Sequence, residues 1–323
     1  VKEGGFLQTT AVTATGVGPL MIRGGYAGDG IARGGETVVA RRDKNDEGIA
    51  VQCPVFTFSA ATVILDSLVV SNGFSNSEVY GQGVAFKSTC TATVRSCRFV
   101  DNGNGNHSSD SDRYGGAVGA DKGTLVITNC VFARNSIHGG GSNVHPVGGA
   151  VGANGATVTI RDSSFDRNYT QQVHPRNYGG GAIGLRNCPS VLIDNCTFTT
   201  NFARRNTGSA GYDYDDLSKG GPFGGTIYIE GSASAVIADC TVLGSWNNSY
   251  SPANPNRPWG GAMCFVNSTV ALVRTVVYAA GESGYTSGAS FTHANGSIDV
   301  RGGTLAMTNV LHGASFAGWI LGN

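Results

Sequence analysis

The sequence predicts an all-β fold, a single-stranded parallel β-helix in which each repeat forms one coil of a solenoid. Three observations carry this. A unit Gly-Gly-Ala-φ…φ-x-φ-x-x-Cys-x-Phe-x-x-Asn (φ apolar) recurs along most of the chain and stands in full between Gly115 and Asn135. Aligned on the Phe, the units fall at Val69, Phe99, Phe132, Phe165, Phe198, Val242, Val277 and His312, separated by 30, 33, 33, 33, 44, 35 and 35 residues. Within each unit apolar residues alternate with polar or small ones, which is the period of a strand.

Each element has a local reason. The first stretch of a unit reads Gly-Gly-Ala-Val-Gly-Ala at 115–120 and 148–153, Gly-Gly-Ala-Ile-Gly-Leu at 180–185, Gly-Gly-Thr-Ile-Tyr-Ile at 224–229 and Gly-Gly-Ala-Met-Cys-Phe at 260–265. The second stretch is Thr-Leu-Val-Ile-Thr-Asn-Cys-Val-Phe at 124–132 and its counterparts. No apolar 3.6-residue period is long enough for a helix, and glycine at this density disfavours one. A period near 33 without helices excludes the helical repeats, and propeller blades need four strands and a longer period. Stacked coils about 4.8 Å apart then place like residues in register, giving about eight to ten coils and a rod of roughly 40 Å. In Cys130-Val-Phe132 residues two apart share a face, taken as inward. The closing Asn72, Asn102, Asn135, Asn168 and Asn201 are expected to stack as an amide ladder that satisfies turn backbone groups.

Residues 1–323 read as one β-helix domain, with irregular N-terminal coils at 1–60, regular repeats at 61–312 and a C-terminal end at 313–323. Neither end shows the polar cap a solenoid needs, so the sequence is expected to be part of a larger protein that can assemble end to end or laterally. Gly 50 is roughly twice the ordinary share of about 7%, yet the glycines keep fixed places between apolar residues. Charged residues make up 14% and the formal net charge is zero. That balance lacks the basic footprint of a nucleic-acid binder. It also lacks the polybasic clusters of a membrane-surface protein. No apolar run approaches the ~18 residues that span a bilayer, so no membrane insertion of this segment is expected.

Eight cysteines and six Asn-x-Ser/Thr triplets favour an extracellular or cell-surface location. The triplets begin at Asn106, Asn168, Asn195, Asn247, Asn267 and Asn295. Asn168 is also a ladder position and is expected to be buried and unglycosylated; the other five are glycosylation candidates. Cys97, Cys130, Cys196 and Cys240 share one register, with Ser163 and Thr275 filling the gaps. Stacked neighbours Cys97/Cys130 and Cys196/Cys240 fall within disulfide range. Small inward thiols filling a narrow core explain the same pattern.

The paired Gly-Gly-Ala-[Val/Ile] and Phe-x-x-Asn motifs resemble the repeats of chlamydial polymorphic outer-membrane proteins over roughly residues 60–312. That resemblance implies a right-handed, pectate-lyase-like β-helix, and a passenger segment serving adhesion and surface display. No C-terminal barrel follows here, and Ser245 and Ala280 replace the closing Asn in the last units.

Function is expected in the insertions between the closing Asn and the next Gly-Gly, at 101–114, 136–147, 169–178, 202–223 and 244–259. Register stacking aligns them as a wall of loops. Tyr114, Tyr178, Phe223 and Trp259 directly precede Gly-Gly pairs, with Arg113, His145, His174, Arg176 and Arg257 beside them. Tyr114, His145, His174, Arg176, Tyr178, Tyr212, Tyr214, Arg257 and Trp259 make candidate ligand-binding residues for a glycan or protein surface; caps over the coil edge are the structural alternative. The leading expectation is a non-catalytic surface protein of adhesion or assembly. The alternative is a polysaccharide lyase or glycoside hydrolase using Asp213, Asp215, Asp216 and Lys219 in the longest insertion. No polygalacturonase or pectate-lyase motif supports it. No cofactor is expected. Asp101-Asn-Gly-Asn-Gly-Asn106 alternates oxygen donors that suit Ca²⁺, but His107 stands where an EF-hand needs Gly, and an Asn/Gly turn accounts for it as well.

Overall fold

The computed structural model describes residues 4–26, 35–43, 51–103, 112–139, 145–172, 178–205, 222–248, 262–278 and 298–313. It is a parallel β-solenoid of about seven regular turns. Irregular turns at either end bring the longest row to ten strands. Every strand ladder is parallel and in register, as between Val118–Asp121 and Val151–Asn154 or between Thr124–Thr128 and Thr157–Arg161.

A regular coil contributes to five rows. One turn runs through Arg113–Tyr114, Val118–Asp121, Thr124–Thr128, Val131–Ala133 and Ser136–Gly139, and these strands represent the fifth, first, second, third and fourth rows respectively. The first and second rows merge where Met263–Val273 runs through both as one strand, making a 16-stranded sheet. The nine-residue stretch expected as one strand is therefore two. Asn129 breaks it with φ 52°, and Ser96, Asp162, Asn195, Asp239, Arg274 and Asn309 repeat that left-handed corner. A single left-handed residue turns the chain sharply without a loop, at a local cost that stacking offsets.

Inside, one core runs from Val39 to Val310. Phe99, Phe132, Phe165 and Phe198 are fully buried and stack ring on ring, with centroids 4.9, 4.7 and 4.8 Å apart. Cys97, Cys130, Cys196 and Cys240 face inward beside them, while Val131 between Cys130 and Phe132 faces out. None of the eight cysteines is joined in a disulfide. Within the Cys register, the Cys97 amide donates to Cys130 Sγ (3.5 Å), the Cys130 amide to Ser163 Oγ (3.1 Å) and the Cys240 amide to Thr275 Oγ1 (3.4 Å). The thiols thus occupy the place that hydroxyls take in neighbouring coils.

The amide ladder is present. Asn102 Nδ2 donates to Asn135 Oδ1 and Asn135 Nδ2 to Asn168 Oδ1, both at 2.9 Å, and Asn168 Nδ2 donates to Asn201 Oδ1 at 3.0 Å. Asn168 is fully buried, as its double role requires. One member is misplaced in the sequence reading. Val70, not Val69, pairs with Phe99, because the irregular coil is one residue out of step. Gly73 consequently holds the ladder position and donates its amide to Asn102 Oδ1 (2.9 Å), while Asn72 is an exposed left-handed corner residue. At the other end Ser245 takes the Asn position and hydrogen-bonds Thr226.

Candidate functional site

The insertions begin and end as regular structure, which is how they are aimed. Ser136–Gly139, Tyr169–Gln172, Phe202–Arg205 and Trp246–Asn248 form the fourth row directly after the ladder. Arg113–Tyr114, Pro146–Val147, Tyr178–Gly179 and Pro222–Phe223 form the fifth row before the Gly-Gly pairs. The Gly-Gly-Ala-φ-Gly motif lets the backbone close over itself. The first glycine turns the chain (Gly148, φ 77°). A Cβ on the second would meet the fourth row, with Gly149 falling 2.5 Å from the Tyr169 carbonyl. A Cβ on the third would meet the fifth row, with Gly152 falling 2.4 Å from the Val147 carbonyl.

Tyr114 uses that closeness. It lies over the glycine column of the first row, 4% exposed, stacked on Tyr80 with centroids 5.1 Å apart. Together with Val147, Tyr228 and Cys264 it makes a satellite core outside the sheet, with Tyr228 filling the column where glycine ends. Tyr114 is therefore a cap over the coil edge. Burial pushes its hydroxyl away from ionising, and burial likewise pushes Tyr80 up to about 12.

A polar brace spans the same face. Arg186 Nε donates to Glu230 Oε2 (2.6 Å) and its Nη1 to Asp112 Oδ2 (2.5 Å). His145 Nδ1 lies 2.6 Å from Asp112 Oδ1, and Tyr228 donates to Glu230 Oε2 (2.9 Å). Burial opposes the charge on Asp112, but His145 and Arg186 outweigh it and hold the carboxyl below its ordinary range. Burial also opposes the Arg186 charge, yet Tyr114, Glu230 and Asp112 keep it firmly protonated. His145 thus sits in a brace that ties insertions to the wall two coils away. The sequence singled out His145 without its partners, because Asp112 and Arg186 are 74 residues apart.

The fourth row carries an outer aromatic column that the sequence reading missed. The residues after the ladder positions stack in register, with Ser136, Tyr169 and Phe202 pointing outward on successive strands and the Trp246 backbone at the same position on the next. Tyr169 and Phe202 are nearly coplanar, with centroids 4.9 Å apart and a 2° tilt, and His138 Nε2 lies 3.1 Å from the Tyr169 hydroxyl. The signal was present as Asn135-Ser, Asn168-Tyr, Asn201-Phe and Ser245-Trp. Beyond Ser136 the same position holds Gly103 and then Phe74. There an open cleft of about 310 Å³ lies between Phe74 and Tyr169, with Arg134, Asp101 and His138 at its edge. Arg134 and Asp101 form a bidentate pair, both bonds 2.8 Å.

The other candidates are placed as follows. His174, Arg176, Tyr212, Asp213, Tyr214, Asp215, Asp216, Lys219, Arg257, Trp259, Asn106 and Asn295 lie outside the described residues, and of Tyr178 and Asn247 only the backbone is described. Asn195 and Asn267 are exposed corner residues. In the stretch read for Ca²⁺, Asp101 is engaged by Arg134 and Asn102 belongs to the buried ladder. Among the described residues no three His, Cys, Asp or Glu side chains gather as a metal site. Compared with protein-family models, curated proteins and solved structures, the chain matches none.

Proposed function

We propose that this chain is the β-helical part of a secreted, glycosylated surface protein, acting in adhesion or as a piece of an extracellular assembly without catalysis. The observation that carries the reading is the closed polar brace. Arg186 joins the Asp112 and Glu230 carboxylates through short hydrogen bonds, and His145 Nδ1 lies 2.6 Å from Asp112, so both carboxylates on this face are already engaged. A general base or acid needs a group poised for proton transfer near the working pH, and the Asp112 carboxyl is held below its ordinary range. The exposed triplets at Asn195 and Asn267, and the repeats resembling surface-displayed passengers, support secretion and display.

The test is incubation with uronate-containing and neutral polysaccharides. No unsaturated or reducing ends are expected. Their release, abolished by Asp215→Ala or Lys219→Ala, overturns the reading in favour of a lyase or hydrolase. Intact-mass and peptide analysis from a glycosylating host checks the secretory part: glycans at Asn195 and Asn267 and none at buried Asn168. A mass unchanged by deglycosylation removes that support.

A further inference from the structure

We propose that the cleft between Phe74 and Tyr169 binds a hexopyranose unit of a polysaccharide, seated where the outer aromatic column lacks two side chains. This deepens the adhesion reading and rests on it. Along this column Phe74, Gly103, Ser136 and Tyr169 occupy successive rungs, followed by Phe202. Two neighbouring rungs therefore carry a hydrogen and a hydroxymethyl where the next two carry rings. The gap is built into the coil: a Cβ on Gly103 would fall 2.9 Å from the Ser136 carbonyl oxygen, a backbone atom that cannot swing aside. A ring seated there continues the stack as Tyr169 continues Phe202, at the rung spacing of about 4.8 Å. The cleft of about 310 Å³ is at the lower end of ligand sites, with room for one or two sugar rings.

The rim chemistry selects a sugar over a flat aromatic ring. The Arg134–Asp101 pair is about half exposed and offers donors and carboxylate acceptors side by side, the arrangement that vicinal hydroxyls need. Ser136 and His138 add polar atoms between the two aromatic walls. Arg41 is already committed to the Asn72 and Val51 carbonyls and to the Phe74 ring, so it builds the Phe74 wall. A peptide added as a strand is disfavoured, because the backbone here is paired from coil to coil: Gly103 donates to the Gly73 carbonyl and Ser136 to the Asn102 carbonyl.

Calorimetric titration of the intact chain with a panel of soluble neutral and uronate oligosaccharides tests this. Binding by at least one panel member is expected. Ser136→Phe, which fills the gap and removes no contact from the core, should weaken it at least tenfold, as should Tyr169→Ala. Circular dichroism and thermal melting check that each variant keeps the fold. The double change Arg134→Gln with Asp101→Asn, confined to the exposed rim, reads the same site if Ser136→Phe does not fold. Affinity left unchanged by these variants overturns the cleft assignment while leaving an adhesive surface elsewhere on the rod. The absence of binding across the panel overturns it too, as does exclusive capture of aromatic peptides. Depolymerisation of a bound glycan strikes instead at the non-catalytic reading.

Discussion

At the residue scale the ladder asparagines satisfy backbone and side-chain groups of neighbouring coils at once. Asn135, Asn168 and Asn201 each accept, at the carboxamide oxygen, hydrogen bonds from both the backbone amide and the Nδ2 of the preceding Asn, and each Nδ2 also reaches a carbonyl of the coil before. Asn135 Oδ1 accepts from Asn102 N (3.1 Å) and Asn102 Nδ2 (2.9 Å), while Asn135 Nδ2 donates to the Phe99 carbonyl (3.0 Å). Leucine would fill the space and leave those groups unpaired in a dry core. Asn135→Ala strands several of them at once and is expected to cost on the order of 3 kcal/mol. Chemical denaturation measures this; a loss below about 1 kcal/mol would mean that water or a shifted neighbour replaces the amide. The Phe column beside the ladder adds stacking worth roughly 0.5–1.5 kcal/mol per pair beyond burial.

At the element scale the glycine motif decides where strands can lie. The fifth row sits close against the first because the third glycine of the motif has no side chain. A Cβ at Gly152 would come within 2.2 Å of the Gly115 nitrogen and 2.4 Å of the Val147 carbonyl, both backbone atoms that cannot swing aside. Gly152→Ala should therefore push Pro146–Val147 off the wall and destabilise by about 1–3 kcal/mol. Hydrogen exchange gives the specific readout: faster exchange at the Gly115 amide, which donates to the Val147 carbonyl. Protection unchanged there would show that the first row yields instead. Corner residues repeat the same economy on the outside, where Asn195 Nδ2 reaches Asp162 Oδ1 (2.7 Å) and Arg274 grips Asp239.

At the scale of the whole molecule stability is a sum of coil-to-coil terms, so braces between coils matter more than any centre. Buried Asp66 is one such brace, accepting from Arg23 (2.8 Å) and Arg95 (3.1 Å). Burial opposes its charge, but Ser67, Arg23 and Arg95 prevail and its carboxyl lies below the ordinary value. Asp112 behaves alike. Carboxyls depressed in the fold bind protons more readily once unfolded. Their stabilisation is whole above the unfolded value of about 3.9 and is lost as pH falls through the folded values. Melting temperature should thus fall as pH drops below about 4, and Asp66→Asn should flatten part of that fall. An equally steep fall in the variant would assign acid lability to other groups.

Much of this was legible in one dimension because solenoid chemistry repeats with the coil. The 33-residue return of Cys-x-Phe-x-x-Asn fixes an inward ring, a small inward group and an amide in every turn, and parallel in-register stacking leaves them no other arrangement. Where the repeat is irregular, that logic slips by one residue, as at Val70 and Gly73. Left-handed corners at Asn129 and its counterparts shift the alternation by one residue, from inward Leu125 and Ile127 to inward Cys130 and Phe132, a change of phase that the apolar Val126 and Val131 mask in the sequence. The candidate site was less legible still. Tyr114 and His145 stood out as residue types, but whether they meet a ligand or a brace depends on Asp112 and Arg186 two coils apart. The cleft exists only because Gly103 and Ser136 are neighbours across rungs. The period, the core column and the ladder follow from residue type at a fixed spacing, and so can be read in the chain alone. Which outward residues become neighbours cannot, because stacking joins positions that the chain separates by 33 residues or more.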